Sequence, residues 1–103
     1  GYGNLVADMR SIPIMKSFGC RVVMDAGHAV QQPGGRGKTS GGTREMIPAV
    51  ARAGVAAGAD GLYLEVHEDP DRAPCDGPNM LRLADLPRLL KEVLAIRRAL
   101  AGG

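Results

Sequence analysis

The sequence is short of aromatic residues: Tyr2, Phe18 and Tyr63 are all it has, with no Trp. A core must therefore be built from Ala, Val, Leu, Ile and Met. Cysteine is nearly as scarce. Cys20 and Cys75 are too few for a disulfide framework, which points to a reducing cytosol. No apolar run approaches the ~18–20 residues of a membrane span. The first apolar stretch is broken by Asp8, Arg10 and Pro13, so no signal peptide is read there. Neither sign of charge is in surplus: 13 basic and 11 acidic residues leave +2 in 103. That balance points to neither a nucleic-acid nor a membrane partner. An initiating Met is also missing; the opening Gly1-Tyr2-Gly3 suggests a truncated sequence. Hydrophobic residues are plentiful at 45%, beside 23% charged, so the composition is globular and not disordered.

Strand and helix patterns alternate along the chain. Ser11 followed by Ile12-Pro13 predicts a helix start, a capping hydroxyl with Pro in the first turn. The helix runs over 11–18, with Ile12, Met15 and Phe18 inward and Gly19 stopping it. RVVMDA, residues 21–26, is short, β-branched and apolar, and predicts a buried parallel strand. Residues 27–43 hold six Gly and one Pro and form a long loop, a length usually kept for function. Residues 44–57 predict a helix with Met46, Ile47, Val50, Ala53 and Ala57 on one face and Gly58 as C-cap. Pro48 is tolerable only if this helix begins near residue 44. A second strand, 61–66, is followed by a polar loop over 67–82. A last helix over 84–100 turns Leu86, Leu89, Leu90, Val93, Ile96 and Leu100 inward, with Asp85 and Arg97-Arg98 suiting its dipole. Such alternation means parallel strands with crossover helices. Two strands cannot cover both faces of a parallel sheet. The pattern fits the last units of a (β/α) barrel, which takes ~250 residues.

The polar residues gather just after each strand. Asp25 and His28 follow the first, Glu65 and His67 the second, and Asp76 lies in the loop beyond. His28 and Glu65 are one βαβ repeat apart and so reach the same rim, where parallel α/β folds build their sites. An imidazole and two carboxylates meeting there could be a divalent-metal site short of a fourth ligand, an acid–base cluster, or polar groups satisfied at strand ends. Cys75 has no base at a recognisable spacing to activate it and is read as a bystander thiol. Gly37-Lys38-Thr39 matches the end of a P-loop, but Gln32 stands where the opening Gly belongs, and Ser40-Gly41-Gly42 resists the helix whose N-terminus would face phosphates. Nucleotide binding is therefore not expected. A Gly-rich lid placing Arg36 and Lys38 near an anionic substrate is.

The strings NLVADMRSIPIMK, MDAGHAVQQPGG, SGGTRE and GADGLYLEVHEDPDRAPCDGPNM, with the closing Leu-rich helix, resemble the 3-deoxy-D-manno-octulosonate 8-phosphate (KDO8P) synthases over essentially the whole chain. The resemblance implies the C-terminal portion of a (β/α)8 (TIM) barrel, about helix 6 to helix 8, with residues 1–103 as part of a single synthase domain and the N-terminal part outside this chain. It implies condensation of phosphoenolpyruvate with D-arabinose 5-phosphate and water, serving lipopolysaccharide synthesis, in a cytoplasmic homotetramer. GADGLYLEVHEDPDRAPCDG also resembles the 3-deoxy-D-arabino-heptulosonate 7-phosphate (DAHP) synthases, which take erythrose 4-phosphate. Residues 4–16 and 28–45 favour the octulosonate enzyme. A third reading is an inactive barrel fragment, and these 103 residues expressed alone are expected to lack synthase activity, because an open barrel exposes strand edges.

The resemblance also implies roles. His28, Glu65 and Asp76 match the family's catalytic positions and, in its metal-dependent members, three ligands of a divalent metal such as Mn, Fe or Zn. The fourth, a Cys on the first strand, falls outside this chain, and neither Cys20 nor Cys75 matches it. Gln31 and His67 match active-site positions and join Arg36 and Lys38 as expected substrate-binding residues. The PGG loop and the DMRS string look like the metal class, whereas CDGP looks like the metal-free class. A metal-capable site is the expectation, with the metal-free class open.

Overall fold

The computed structural model describes residues 7–30, 44–74 and 77–102. Helix α1 spans Ser11–Lys16, strand β1 Val23–Asp25, helix α2 Ile47–Ala56 and strand β2 Gly61–Tyr63. Two short strands follow, β3 at Val66–His67 and β4 at Leu81–Arg82, and helix α3 closes the chain at Leu86–Leu100. Single 3-10 turns at His28–Val30, Arg44–Met46, Pro70–Arg72, Gly77–Asn79 and Leu83–Asp85 join them.

The two expected strands pair parallel, with Val23 opposite Gly61 and Asp25 opposite Tyr63. They are three residues each, shorter than the expected 21–26 and 61–66. A second parallel pair, Val66 with Leu81 and His67 with Arg82, takes the last residue of the expected second strand and three residues of the expected loop. Helix α2 crosses from β1 to β2, as parallel pairing requires. Pro48 sits in its first turn, where a missing N–H costs nothing. Gly58 ends it at φ +106°, a conformation that glycine adopts without strain.

The main core joins α2 and α3 to the strands: Ala26, Ile47, Ala51, Val55, Leu81, Leu89 and Val93 are buried together. A smaller cluster of Ile12, Val22 and Ala59 seats α1. Strand residues alternate between faces. Met24 therefore meets α2, so closely that a Cβ on Gly54 would stand 2.7 Å from the Met24 Cγ. Val23, Asp25 and Tyr63 take the other face, which the described helices leave uncovered.

That one-sided cover corrects several expectations. β1 is open on one face, with Val23 63% exposed, and not buried on both. Of the expected inward face of α1 only Ile12 is buried; Phe18, at 78% exposure, lies beyond the helix end in a turn that closes at Gly19. Ser11 does not cap α1. Arg10 is the N-cap and no side chain caps the helix; backbone carbonyls take the first amides, Ser11 N–H going to Asp8 at 3.0 Å and Ile12 N–H to Met9 at 3.2 Å, while the Asp8 carboxylate accepts the Arg10 N–H in the turn before the helix. The buried stripe of α2 is Ile47, Ala51, Gly54 and Val55, which turns Met46 outward because that residue precedes the helix in a 3-10 turn. On α3, Leu89 and Val93 face the core while Leu90 and Leu100 stay exposed: among the described residues α2 is the helix that packs on it, so the buried stripe is narrow.

Candidate functional site at the strand ends

Beyond Asp25 the chain turns tightly through Ala26-Gly27, and this turn aims His28 back across the strand ends. Gly27 permits it: a Cβ there would stand 2.4 Å from the Asn79 carbonyl oxygen, so only a glycine lets the two rim segments touch. Asp25 holds the turn from below. Its Oδ1 accepts the His28 backbone N–H at 3.0 Å, and its Oδ2 lies 2.8 Å from His28 Nδ1. From the link between β2 and β3, Glu65 brings Oε1 to 3.3 Å from His28 Nε2. The imidazole thus lies between two carboxylates, one from each strand end. All three side chains are partly open to solvent, Glu65 least.

A carboxylate only accepts, so Nδ1 carries the proton of the Asp25 contact. Nε2 then either bears the ring's second proton, as an imidazolium between two anions, or offers its lone pair to a cation shared with Glu65. The donor spacing suits a divalent cation. An imidazole nitrogen and a carboxylate oxygen 3.3 Å apart are spaced like neighbouring ligands at ~2.0–2.2 Å from one ion. Among the described residues, no group of three or more His, Cys, Asp or Glu is placed to hold a metal ion. The third expected ligand, Asp76, lies outside the described residues, as do Gln31, Arg36, Lys38 and Cys75.

His67 takes a different course. Its Nδ1 accepts the Asp69 N–H at 2.9 Å, closing a turn within its own loop. The structure therefore brings together His28 and Glu65 of the expected set, adds Asp25, and ties the His67 ring into its own turn.

Arg44 is a second residue that spacing alone did not single out. Its guanidinium donates to the carbonyls of Met80 and Gly77 and to the Asp71 carboxylate, each at 3.0 Å. It joins the start of α2 to the loop after β3. The Arg44 hydrogen bond, with Arg82 beside it, holds the Asp71 carboxyl below the usual carboxylate range. For Asp25 the usable sign was a carboxylate three residues before a strand-end histidine. For Arg44 it was a lone cation directly after a Gly-rich run, which could equally be a solvated side chain.

Known proteins resemble the chain along most of its length. A model of the DAHP synthetase I family matches residues 1–100. A protein of Geobacter metallireducens named 2-dehydro-3-deoxyphosphooctonate aldolase is 62% identical over 96 residues, covering 93% of this chain and 35% of its own. Relatives of the same name in Agrobacterium fabrum, 59% identical over 92% of this chain and 34% of theirs, and in a Synechococcus strain, 54% identical over 98% and 36%, extend the match. The chain spans about a third of the length of these curated relatives. In structure it is similar to a Thermotoga maritima DAHP synthase, with a TM-score of 0.76 and 27% identity over 92% of this chain and 25% of that one.

Proposed function

The chain belongs to the DAHP synthetase I family, and from that premise we propose that the protein condenses phosphoenolpyruvate with D-arabinose 5-phosphate and water to give 3-deoxy-D-manno-octulosonate 8-phosphate and inorganic phosphate. The carrying observation is the 54–62% identity, over more than nine-tenths of the chain, to relatives named 2-dehydro-3-deoxyphosphooctonate aldolase. That name describes, from the cleavage side, the carbon–carbon bond that such a synthase forms. Residues 1–103 then supply about helix 6 to helix 8 of a (β/α)8 barrel, and the parallel β1–β2 pair with its crossover helix supports that placing.

In the reaction, the methylene carbon of the enol attacks the sugar aldehyde, water attacks the adjacent enol carbon, and the carbon–oxygen bond to phosphate breaks. His28 and Glu65, with Asp76, flank the reacting carbons. A ring held between two carboxylates can hold a water by one edge and receive its proton as the new carbon–oxygen bond forms. His28, Glu65 and Asp76 would also hold a divalent cation, which when bound polarises the aldehyde oxygen or the water. Gln31, His67, Arg36 and Lys38 bind the anionic substrates. A cytoplasmic homotetramer belongs to the same reading. Among the described residues no helix is long and apolar enough to cross a membrane.

The experiment follows phosphate release by the full-length protein from phosphoenolpyruvate with either sugar. Turnover with arabinose 5-phosphate and little with erythrose 4-phosphate is expected. The reverse preference would establish the heptulosonate reading, which the Thermotoga maritima likeness favours, and turnover with neither would sink both.

A further inference from the structure

We infer that Asp25 is a positioning residue that sets which nitrogen of His28 faces the site. The inference deepens the reading above and rests on it only for the chemistry at Nε2. The two oxygens of Asp25 do separate jobs. Oδ1 accepts the His28 backbone N–H at 3.0 Å and so fixes the carboxylate in the turn. With that oxygen committed, Oδ2 is left 2.8 Å from Nδ1, and the proton of the ring is held there.

The consequence reaches the other edge of the ring. An imidazole can turn over about its second side-chain torsion, exchanging its two edges at little cost. Asp25 removes that freedom. With Nδ1 committed below, Nε2 is the atom presented 3.3 Å from Glu65 Oε1, where a proton or a cation is to be held. A carboxylate behind a working imidazole fixes both its tautomer and its tilt. Asp25 is suited to this because it lies on the strand face that α2 leaves uncovered, in register with Tyr63.

Asp25→Asn separates this role from mere turn-making. The amide oxygen can still accept the His28 N–H, so the turn is kept. The NH2 group then faces Nδ1 as a donor, and the ring proton is driven to Nε2. In the full-length protein with 15N-labelled histidine, at one fixed pH, ring spectra are expected to show Nδ1 protonated in wild type and unprotonated in Asp25→Asn, with the His28 signals identified by their loss in His28→Ala. The kcat should fall about 10–100-fold, the KM for phosphoenolpyruvate should change less than about threefold, and Asp25→Glu should recover part of the loss. An unprotonated Nδ1 in wild type, the same protonation in both proteins, or a kcat within about twofold of wild type would overturn the inference. Should Asp25→Asn not fold, the wild-type spectrum still decides. Should wild type turn over neither substrate pair, the proposed function fails while the ring spectra still judge Asp25.

Discussion

His28 follows the end of β1 and His67 the end of β2, each by a few residues, yet the fold treats them differently. His28 is reached from two strand ends at once, by Asp25 at 2.8 Å and Glu65 at 3.3 Å. His67 lies in the short strand β3 and spends its Nδ1 on the amide of Asp69, two residues on. Proximity to a strand end is thus not what makes a site. Convergence is: a group becomes useful when its partners come from two segments distant in sequence, here Asp25 beside it and Glu65 from far along the chain, because each then fixes what the other leaves free.

The comparison breaks most readily at the ring itself. His28→Ala in the full-length protein is expected to lower kcat by about 10²–10⁴-fold, the usual worth of a positioned acid–base group. His67→Ala should lower it by less than about tenfold, or about 1.4 kcal/mol in the barrier. Equal losses in steady-state assays would show the two histidines to be alike. Next in size is the packing beneath the rim. Leu89 is 2% exposed and its neighbour Leu90 43%. Leu89→Ala should cost about 2–5 kcal/mol in chemical denaturation, and Leu90→Ala under about 1 kcal/mol.

The smallest effect lies at the opposite end of the strands. There the Asp60 carboxylate accepts the Val22 N–H at 2.8 Å, which, helped by Lys16, holds its carboxyl below the ordinary range. A lowered folded pKa gives stability that is present above the unfolded pKa of about 3.9 and lost as pH falls through the folded value. Asp60→Asn should therefore narrow the drop in melting temperature between pH 7 and pH 3, by a few degrees at most, and leave turnover at neutral pH unchanged. A wider drop would be contrary to this sign.

Much of this was legible in the sequence. The succession of α1, β1, α2, β2 and α3, the parallel pairing of β1 with β2 and the meeting of His28 with Glu65 all follow from alternation and from loops placed after strands. Side-chain exposure was harder to read. Phe18, Leu90 and Leu100 are apolar at helical spacing, yet lie exposed, because periodicity reports which residues could be buried and not whether a neighbour is there to cover them. Asp25 was visible as a carboxylate at a strand end, but its two-oxygen grip depends on a turn whose closure requires the missing side chain of Gly27. The β3–β4 pair escaped notice because two residues per strand are too few to show a period.

The close approach of Gly27 to Asn79 carries one more consequence. With the backbone of one rim segment resting on the carbonyl of the other, the turn that aims His28 and the segment beyond β3 share a common seat at Gly27 and Asn79. Under the proposed function, a change of sugar preference would then have to be sought in side chains mounted on that seat, since any substitution that thickens the seat itself would displace both segments together.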